Sequence, residues 1–158
     1  MLIRPAKQSD IPAVLPMVGK ICALHETWDA AKYGFLPNPA QRYDGWLGKL
    51  VNSDRTVFLV AEDQTKEQIA GFLVATIERE IPIYRLKEYA FIHDLWVESE
   101  YRRSGVARQL VMQTIEQFQK MGVEQIRLDT AAKNDAARKL FSECGFRPSV
   151  VEMLIELE

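Results

Sequence analysis

The stretch Arg102-Arg103-Ser104-Gly105-Val106-Ala107 joins a strand-like apolar run, residues 91–97, to an amphipathic pattern that continues to residue 121. At such a strand-to-helix turn, unpaired backbone N–H groups converge on one point, and the helix dipole adds partial positive charge. This geometry suits a phosphate or pyrophosphate group. Gly105 permits close approach of the backbone, Ala107 keeps the first helical turn small, and the two arginines bring positive charge. The sequence therefore predicts a phosphate-binding turn that is neither a P-loop nor a dinucleotide fingerprint.

The pattern Arg-x-x-Gly-x-Ala after a strand resembles the acetyl-CoA signature of the GNAT superfamily of N-acetyltransferases. Other segments resemble the family's opening strand, its third strand and its final helix with the following turn: residues 2–6, 69–74 and 134–146. The resemblance spans nearly the whole chain in the expected order. It implies an α/β (α+β) fold in which a mixed, mostly antiparallel sheet of six to seven strands carries helices on both faces. It also implies that strands four and five splay apart to admit the pantetheine arm of acetyl-CoA.

The bulk composition narrows the classes of protein. With 158 residues, 47% of them hydrophobic and 27% charged, we expect a single globular domain, residues 1–158. A net charge of -2 argues against a general nucleic-acid binder. No apolar stretch reaches membrane-spanning length, and Pro5, Lys7 and Asp10 are incompatible with a signal-peptide core. Two distant cysteines favour a reducing, cytoplasmic setting, and the few histidines and cysteines show no metal-ligand spacing.

The periodicity of apolar residues predicts the elements along the chain. We expect helices at residues 10–28, 40–52 and 134–144, besides the helix that follows the turn, and strands at 1–4, 56–62, 69–80, 90–97 and 124–130. Residues 150–157 are expected to form a last strand or strand pair. Pro16 should bend or delay the first helix, because proline lacks the backbone N–H that a helix interior needs.

By the resemblance, the backbone of strand four holds the acetyl carbonyl and its developing oxyanion, and the turn holds the pyrophosphate. A preorganised N–H aimed at an oxyanion is worth about 3 to 4 kcal/mol in other acyl-transfer enzymes. Asn134 is expected both to cap the last helix and to bond the pantetheine arm. The expected coenzyme-binding residues are Leu95, Trp96, Val97, Arg102, Arg103, Ser104, Gly105, Val106, Ala107, Arg108, Asn134 and Phe141.

Phe141 departs from the family pattern, in which many members carry a tyrosine that protonates the departing thiolate. General-acid assistance is typically worth about two to four orders of magnitude in rate. Three outcomes stay open: protonation by solvent, protonation by Tyr101 or Ser142, or weak catalysis. The last outcome is the alternative function, a CoA-binding module with little or no turnover. A second alternative is an acyltransferase that acts on protein amines.

The general base has three candidates, His93, Glu78 and Asp94. An ordinary histidine pKa near 6.5 suits a base at neutral pH, whereas a hydrogen-bonded structural histidine is the competing interpretation. Strand alternation predicts that His93 and Asp94 point to opposite faces, so that only one of them reaches the acceptor cleft. Glu78, on the preceding strand, could act through water.

The acceptor is expected to be a primary amine on a small molecule or peptide, bound near the first two helices. Trp28, Tyr33, Phe35 and Tyr84 are the expected pocket residues, whereas Trp46 should lie in the core. A surface role is expected for His25, in the first helix. The resemblance also implies a homodimer, since family members commonly dimerise and the last strand offers an exposed edge. Neither nucleic acid nor a membrane is an expected partner.

Overall fold

The computed structural model describes residues 1–158 and contains five strands and four α-helices. In chain order they are β1 (Leu2–Pro5), α1 (Ile11–Trp28), α2 (Pro39–Leu50), β2 (Thr56–Asp63), β3 (Gln68–Arg79), β4 (Glu88–Val97), α3 (Val106–Lys120), β5 (Ile126–Leu128) and α4 (Asp135–Glu143). Short 3₁₀ turns precede α1 and α3, at Gln8–Asp10 and Ser99–Tyr101.

The five strands form one mixed sheet in the order β1-β2-β3-β4-β5. The first four strands pair antiparallel with one another, and β5 is parallel to β4. Pairing between β4 and β5 covers only Ala90–Ile92 with Ile126–Leu128. From His93 to Val97, the edge of β4 that faces β5 therefore has no neighbouring strand, in agreement with the expected separation of strands four and five.

Helices cover both faces of the sheet, as the sequence predicts. Successive side chains of β2 alternate between two buried clusters, because a strand sends neighbouring side chains to opposite faces. Val57 and Leu59 pack in the cluster that includes residues of α3 and α4, whereas Phe58 and Val60 pack in the cluster formed with α1 and α2. The sheet is thus buried from both sides, and the two helix pairs meet different faces of β4.

Arg4 of β1 anchors the start of α1. Its guanidinium donates hydrogen bonds to both carboxylate oxygens of Asp10, at 2.7 and 2.9 Å, and its Nε donates to Glu62 at 2.8 Å. Asp10 is only 7% exposed. The hydrogen bonds from Arg4 hold the pKa of Asp10 below its ordinary value, because they favour the ionised carboxylate. This ion pair ties the edge strand to the first helix.

The prediction of six to seven strands is wrong, because residues 150–157 form no strand. Their alternate side chains Val151, Met153, Ile155 and Leu157 are 81–87% exposed. An alternating apolar run becomes a strand only where a neighbouring edge offers backbone partners. Here β5 is three residues long, shorter than the predicted 124–130, so it offers few of them.

A proline inside α1 and a glycine after α4 are two further local features of the helices. The helix α1 begins at Ile11 although Pro16 lies inside it, so the proline does not delay the helix. Gly145 has a φ of 100°, in the left-handed region, and follows the end of α4, where such a residue is typical of a helix stop.

Candidate active site

The turn at residues 102–105 leads into α3 as predicted. Arg103 and Gly105 both adopt left-handed backbone conformations, with φ of 62° and 83°. The N–H groups of residues 106–108, in the first turn of α3, have no acceptor within the protein. A Cβ at Gly105 would meet no atom within 4 Å, so the space in front of the turn is open. This arrangement provides unpaired donors at the positive end of a helix dipole.

The two arginines of the turn have different surroundings. The Nε of Arg102 donates to the backbone oxygen of Val97 at 3.0 Å, and its guanidinium lies 4.6 Å from the ring centroid of Trp96. Arg102 therefore fixes the end of β4. Arg103 and Arg108 are exposed and form no ion pair within the protein. Their positive charges are available to an anionic ligand.

The last residues of β4, Leu95 to Val97, border the gap between β4 and β5. On the other side they lie close to β3: a Cβ at Gly71 would sit 2.5 Å from the backbone oxygen of Trp96. Glycine at this position allows the two strands to approach each other, and a methyl group there would push the end of β4 away. The backbone at the expected thioester position is thus held firmly against β3.

Asn134 and Phe141 occupy the helix on the far side of the gap. The Oδ1 of Asn134 accepts a hydrogen bond from the N–H of Ala137 at 3.1 Å, which confirms that Asn134 caps α4. Its Nδ2 makes no hydrogen bond with the protein. Phe141 is 7% exposed and packs against Phe146, with 5.4 Å between ring centroids. The phenylalanine is therefore a core residue that carries no proton to donate.

Tyr101, an alternative acid, is committed elsewhere. Its hydroxyl donates to Asp63 at 2.8 Å and accepts from Gln68 at 2.6 Å. Both partners lie at the turn between β2 and β3, whereas the gap lies beyond β4. The structure therefore does not bring this hydroxyl to the gap. Ser142, the other alternative, is exposed on α4 and makes no hydrogen bond through its side chain.

A β-bulge at His93 determines which face the candidate bases meet. Val74 of β3 pairs with Asp94, and the next residue, Ala75, pairs with Ile92, so His93 is an extra residue on β4. The bulge interrupts the alternation of side chains. The expectation that His93 and Asp94 point to opposite faces is wrong for this reason.

Both side chains reach the face covered by α1 and α2. Asp94 accepts a 2.9 Å hydrogen bond from the Tyr43 hydroxyl of α2. The imidazole of His93 packs edge-on against Trp46 of α2, with 5.2 Å between ring centroids. Trp46 packs against the buried cluster under α1 and α2 but is itself only partly buried. The expectation that it lies in the core is therefore only partly correct.

His93 and Glu78, two of the three candidate bases, are joined through Thr76. The Nε2 of His93 lies 2.6 Å from the Thr76 hydroxyl, which donates to Oε1 of Glu78 at 2.6 Å. The direct distance from Nε2 to Oε1 is 3.6 Å. Burial lowers the pKa of His93, and the neighbouring Asp94 and Glu78 oppose this effect only in part. The imidazole is therefore neutral at pH 7, as a general base must be.

Asp94 is the third candidate, and it sits in a different environment. Burial raises its pKa, while the hydrogen bond from Tyr43 lowers it by a smaller amount. The pKa of Tyr43 is also raised, first by burial and then by the negative charge of Asp94. Tyr43 consequently stays protonated and acts as a donor to the carboxylate. The hydrogen bond between Tyr43 and Asp94 therefore joins α2 to β4 next to the bulge.

The aromatic residues at the end of α1 surround His25. Its Nδ1 lies 2.8 Å from the backbone oxygen of Ile21, and its ring makes edge contacts with Trp28 and Tyr33, at 5.1 and 4.7 Å between centroids. His25 is partly buried, and its surface role stays a prediction. The flanking aromatic residues partly cover the ring from solvent.

The other two expected pocket residues, Phe35 and Tyr84, are both exposed. Phe35 is 41% exposed, and its backbone N–H donates to Glu26 at 3.3 Å. Tyr84 is 55% exposed on the connection between β3 and β4 and makes no aromatic contact with the others. The structure thus joins Trp28 and Tyr33 through His25 but does not bring Tyr84 to them.

A model of the Acetyltransferase (GNAT) family matches residues 22–146. The chain belongs to this family. The uncharacterized N-acetyltransferase YycN of Bacillus subtilis is 32% identical over 88 residues, which make up 56% of this chain and 54% of that protein. N-acetyltransferase 8 of Homo sapiens is 32% identical over 90 residues, or 57% of this chain and 38% of that protein. The chain thus aligns with about half or less of the length of these curated relatives.

The fold agrees with this assignment. A crystal structure of a mutant BH1408 protein from Bacillus halodurans superposes with a TM-score of 0.89 over 100% of both chains, at 22% identity. The GNAT fold expected from the sequence is therefore confirmed in class, with five strands instead of six or seven. No helix of this GNAT protein has both the length and the apolar character needed to cross a membrane. No cluster of three or more His, Cys, Asp or Glu side chains has an arrangement that could hold a metal ion.

Thr76 is the residue of this GNAT site that sequence reasoning missed, and the linking role of Tyr43 was also missed. A signal for Thr76 was present in the strand pattern. Val74, Thr76 and Glu78 occupy alternate positions of β3, so they share one face, and Thr76 is a polar residue in an otherwise apolar run. Nothing in the sequence identified its partner, because that depends on the bulge at His93.

Proposed function

We propose that this GNAT protein is an acetyl-CoA-dependent N-acetyltransferase that moves an acetyl group to a primary amine. The proposal treats residues 1–158 as a single acetyltransferase domain. One observation carries it: the open first turn of α3 and the neutral imidazole of His93 flank the same half of β4, the half that has no paired strand on its β5 side. A coenzyme bound at the turn can extend its pantetheine arm into that gap and present the thioester beside the imidazole.

The turn supplies the contacts for the pyrophosphate. Unpaired N–H groups at residues 106–108 bind the phosphate oxygens, and Arg103 and Arg108 contribute charge. Arg102 acts indirectly by holding the end of β4. Across the gap, the unbonded Nδ2 of Asn134 donates to a carbonyl of the pantetheine arm. The backbone of residues 95–97 binds the thioester carbonyl.

The chemistry is a direct attack within a ternary complex. The nitrogen of the amine forms a bond to the carbonyl carbon, His93 accepts the proton that the nitrogen loses, and the carbon–sulfur bond breaks. The electron pair leaves on the CoA sulfur as a thiolate, which solvent protonates. A thiol with an ordinary pKa near 8.5 is a fair leaving group at neutral pH, so the absence of a hydroxyl at Phe141 is compatible with turnover.

The acceptor approaches from the α1 and α2 face. Trp28, Tyr33 and the ring of Trp46 provide apolar walls, and the carboxylates of Glu78 and Asp94 favour a cationic amine. A small molecule or a peptide amine fits this description. Since the neutral amine is the nucleophile, a cationic acceptor loses one proton before the attack and a second, to His93, as the bond to carbon forms.

One competing function has an observation in its favour. Because position 141 is a phenylalanine and Tyr101 is bonded to Asp63, neither position supplies a tyrosine hydroxyl to assist departure of the thiolate. A CoA-binding module with weak turnover would have the same structure. Release of free CoA thiol, measured with a panel of amines, separates the two functions. Tight acetyl-CoA binding without release for any amine supports the binding module.

A glycine pair tests the coenzyme site itself. Gly105→Glu places a negative side chain in the open space before the turn and should abolish acetyl-CoA binding in calorimetric titration. Gly122→Glu is the matched control, because Gly122 also has a positive φ, of 79°, and also faces open space, at the other end of α3. Both variants carry similar backbone strain. Equal affinity in the two variants would contradict the proposed site.

We also retain the homodimer and the cytoplasmic setting as proposals. The exposed apolar side chains of residues 150–157 support the first, since such surface is unfavourable in water and favours a protein partner. Light scattering coupled to size-exclusion chromatography tests it. If the protein remains monomeric at a concentration about 100 times a micromolar dissociation constant, the dimer is excluded.

A further inference from the structure

The three polar side chains His93, Thr76 and Glu78 form a continuous hydrogen-bonded chain across β4 and β3. Thr76 lies in the middle, 9% exposed, with both contacts at 2.6 Å. The contact between Thr76 and Glu78 lies in the distance range of charge-assisted hydrogen bonds from a hydroxyl to a carboxylate. The bulge on β4 directs the imidazole toward β3, opposite Thr76.

The number of protons fixes the direction of each bond. A threonine hydroxyl has one proton, which Thr76 donates to the carboxylate of Glu78. The oxygen of Thr76 can therefore only accept at His93, so Nε2 carries the proton there. In a neutral imidazole the other nitrogen, Nδ1, then holds the lone pair. Nδ1 has no hydrogen-bond partner within the protein. The only fully buried side-chain N or O atom without a partner is Nε1 of Trp96, so Nδ1 is not fully buried.

We propose that Thr76 is a positioning residue, which holds His93 with the proton on Nε2 and directs Nδ1 toward the amine as the proton acceptor. This inference rests on the proposed acetyl transfer. When Nδ1 accepts the proton of the attacking amine, the imidazolium that forms donates through Nε2 to Thr76, and Thr76 donates to the carboxylate. The hydrogen bonds from His93 through Thr76 to Glu78 thus stabilise the protonated base and make Nδ1 a stronger proton acceptor.

The charged groups around His93 are consistent with this role. Glu78 on β3 and Asp94 on β4 both raise the pKa of His93 against the effect of burial. On α2, Trp46 contributes an uncharged ring, and Tyr43 is bonded to Asp94 and stays neutral. No cation faces the imidazole through an ion pair. Removing the hydroxyl of Thr76 would therefore leave a weaker base in an otherwise similar environment.

The second histidine supplies an internal reference, since the chain contains only two. The Nδ1 of His25 lies 2.8 Å from a backbone oxygen, that of Ile21, and a carbonyl can only accept. His25 therefore carries its proton on Nδ1 when neutral. The structure assigns opposite tautomers to the two histidines, and long-range ¹H–¹⁵N spectra of the full-length protein distinguish these states.

The experiment combines these spectra with two variants and steady-state kinetics. In the wild-type protein at pH 8, His93 should show the Nε2–H pattern and His25 the Nδ1–H pattern; a His25→Gln variant assigns the signals. Thr76→Val, which has nearly the same shape but no hydroxyl, should lower the pKa of His93 in an NMR titration. It should also lower kcat about tenfold, within the usual range of base catalysis. Thr76→Ser keeps the hydroxyl and should restore both values.

The outcomes separate the positioning role from the proposed function. An Nδ1–H pattern for His93 in the wild-type protein overturns the inference without any variant, and so does an unchanged His93 titration in a folded Thr76→Val protein. Loss of rate in Thr76→Val without rescue by Thr76→Ser also overturns it, since packing alone would explain that loss. A protein with the expected tautomers and titrations that acetylates no amine supports the positioning role of Thr76 and contradicts the proposed acetyl transfer.

Discussion

The Tyr43 hydroxyl of α2 donates a 2.9 Å hydrogen bond to Oδ2 of Asp94, one residue beyond the bulge on β4. This bond joins a helix on one face of the sheet to the strand that carries the candidate base. Because Asp94 is an acid whose pKa burial raises, the donated bond is the main interaction that keeps its charged form tolerable. The geometry of the bulge and the electrostatics of the site therefore depend on the same contact.

Tyr43→Phe should destabilise the protein, by about 1 to 3 kcal/mol at pH 7, because it leaves the partly buried carboxylate of Asp94 without its donor. The effect has a defined sign with pH. A carboxyl group whose folded-state pKa is raised contributes most stability below its unfolded pKa, near 3.9, and loses that contribution as pH rises through the folded value. The variant raises the folded pKa further, so its deficit should grow between pH 4 and pH 7.

Denaturant unfolding at both pH values measures the difference. Tyr84→Phe is the control, since Tyr84 is 55% exposed and its hydroxyl makes no hydrogen bond. A deficit for Tyr43→Phe that is the same at pH 4 and pH 7 would show that Asp94 is not the group concerned.

Asp10→Ala should cost about 3 kcal/mol of unfolding free energy, because it leaves the partly buried guanidinium of Arg4 without its bidentate partner. The pKa of Asp10 is lowered in the folded state, so its contribution is present above the unfolded value near 3.9 and is lost as pH falls through the folded value. The difference between wild type and variant should therefore shrink below pH 4. Urea unfolding at pH 7 and pH 3 measures it, with the exposed and unpaired Asp44→Ala as the control. A cost below 1 kcal/mol at pH 7 would contradict the assigned role.

Patterns of local chemistry explain which parts of the site could be predicted. The turn before α3 follows from Gly105 and small neighbours at a strand-to-helix junction, and the cap on α4 follows from an asparagine before a helical pattern. Both are contained in a few consecutive residues. The position of His93 is of another kind, because it depends on one extra residue in a ladder between β3 and β4. Such a bulge is a property of two paired strands, and alternation within one strand cannot reveal it.

The same distinction applies to the end of the chain. Residues 150–157 were expected to form a last strand or strand pair; they form no strand, and the three-residue β5 offers few backbone partners. The partial burial of His25 could not be predicted either, because a helical pattern does not show which loop residues pack against it. Its burial comes from Tyr33, which the loop after α1 returns to the helix.

Arg103→Ala should weaken CoA binding by about tenfold, the equivalent of one charge-assisted hydrogen bond. Arg103 is exposed and forms no ion pair, so its loss should leave the melting temperature unchanged. The defect should diminish at high salt, because ions screen the attraction between an exposed guanidinium and phosphate. Calorimetric titration at 50 and 500 mM salt tests this, with the exposed Arg85→Ala as the control. Equal affinities for the two variants at 50 mM salt would remove Arg103 from the site.

Phe141→Tyr tests whether departure of the CoA thiolate limits the rate. The variant introduces the tyrosine hydroxyl that many family members carry at this position. General-acid assistance then predicts a rise in kcat of about tenfold or more with little change in KM. Phe141 is 7% exposed and packs against Phe146, so a hydroxyl without a partner would lower the melting temperature as well. Phe146→Tyr, which places a hydroxyl on the neighbouring ring, controls for that cost. A folded Phe141→Tyr protein with unchanged kcat would mean that the thiolate leaves quickly without an acid, and that proton removal by His93 or an earlier step sets the rate.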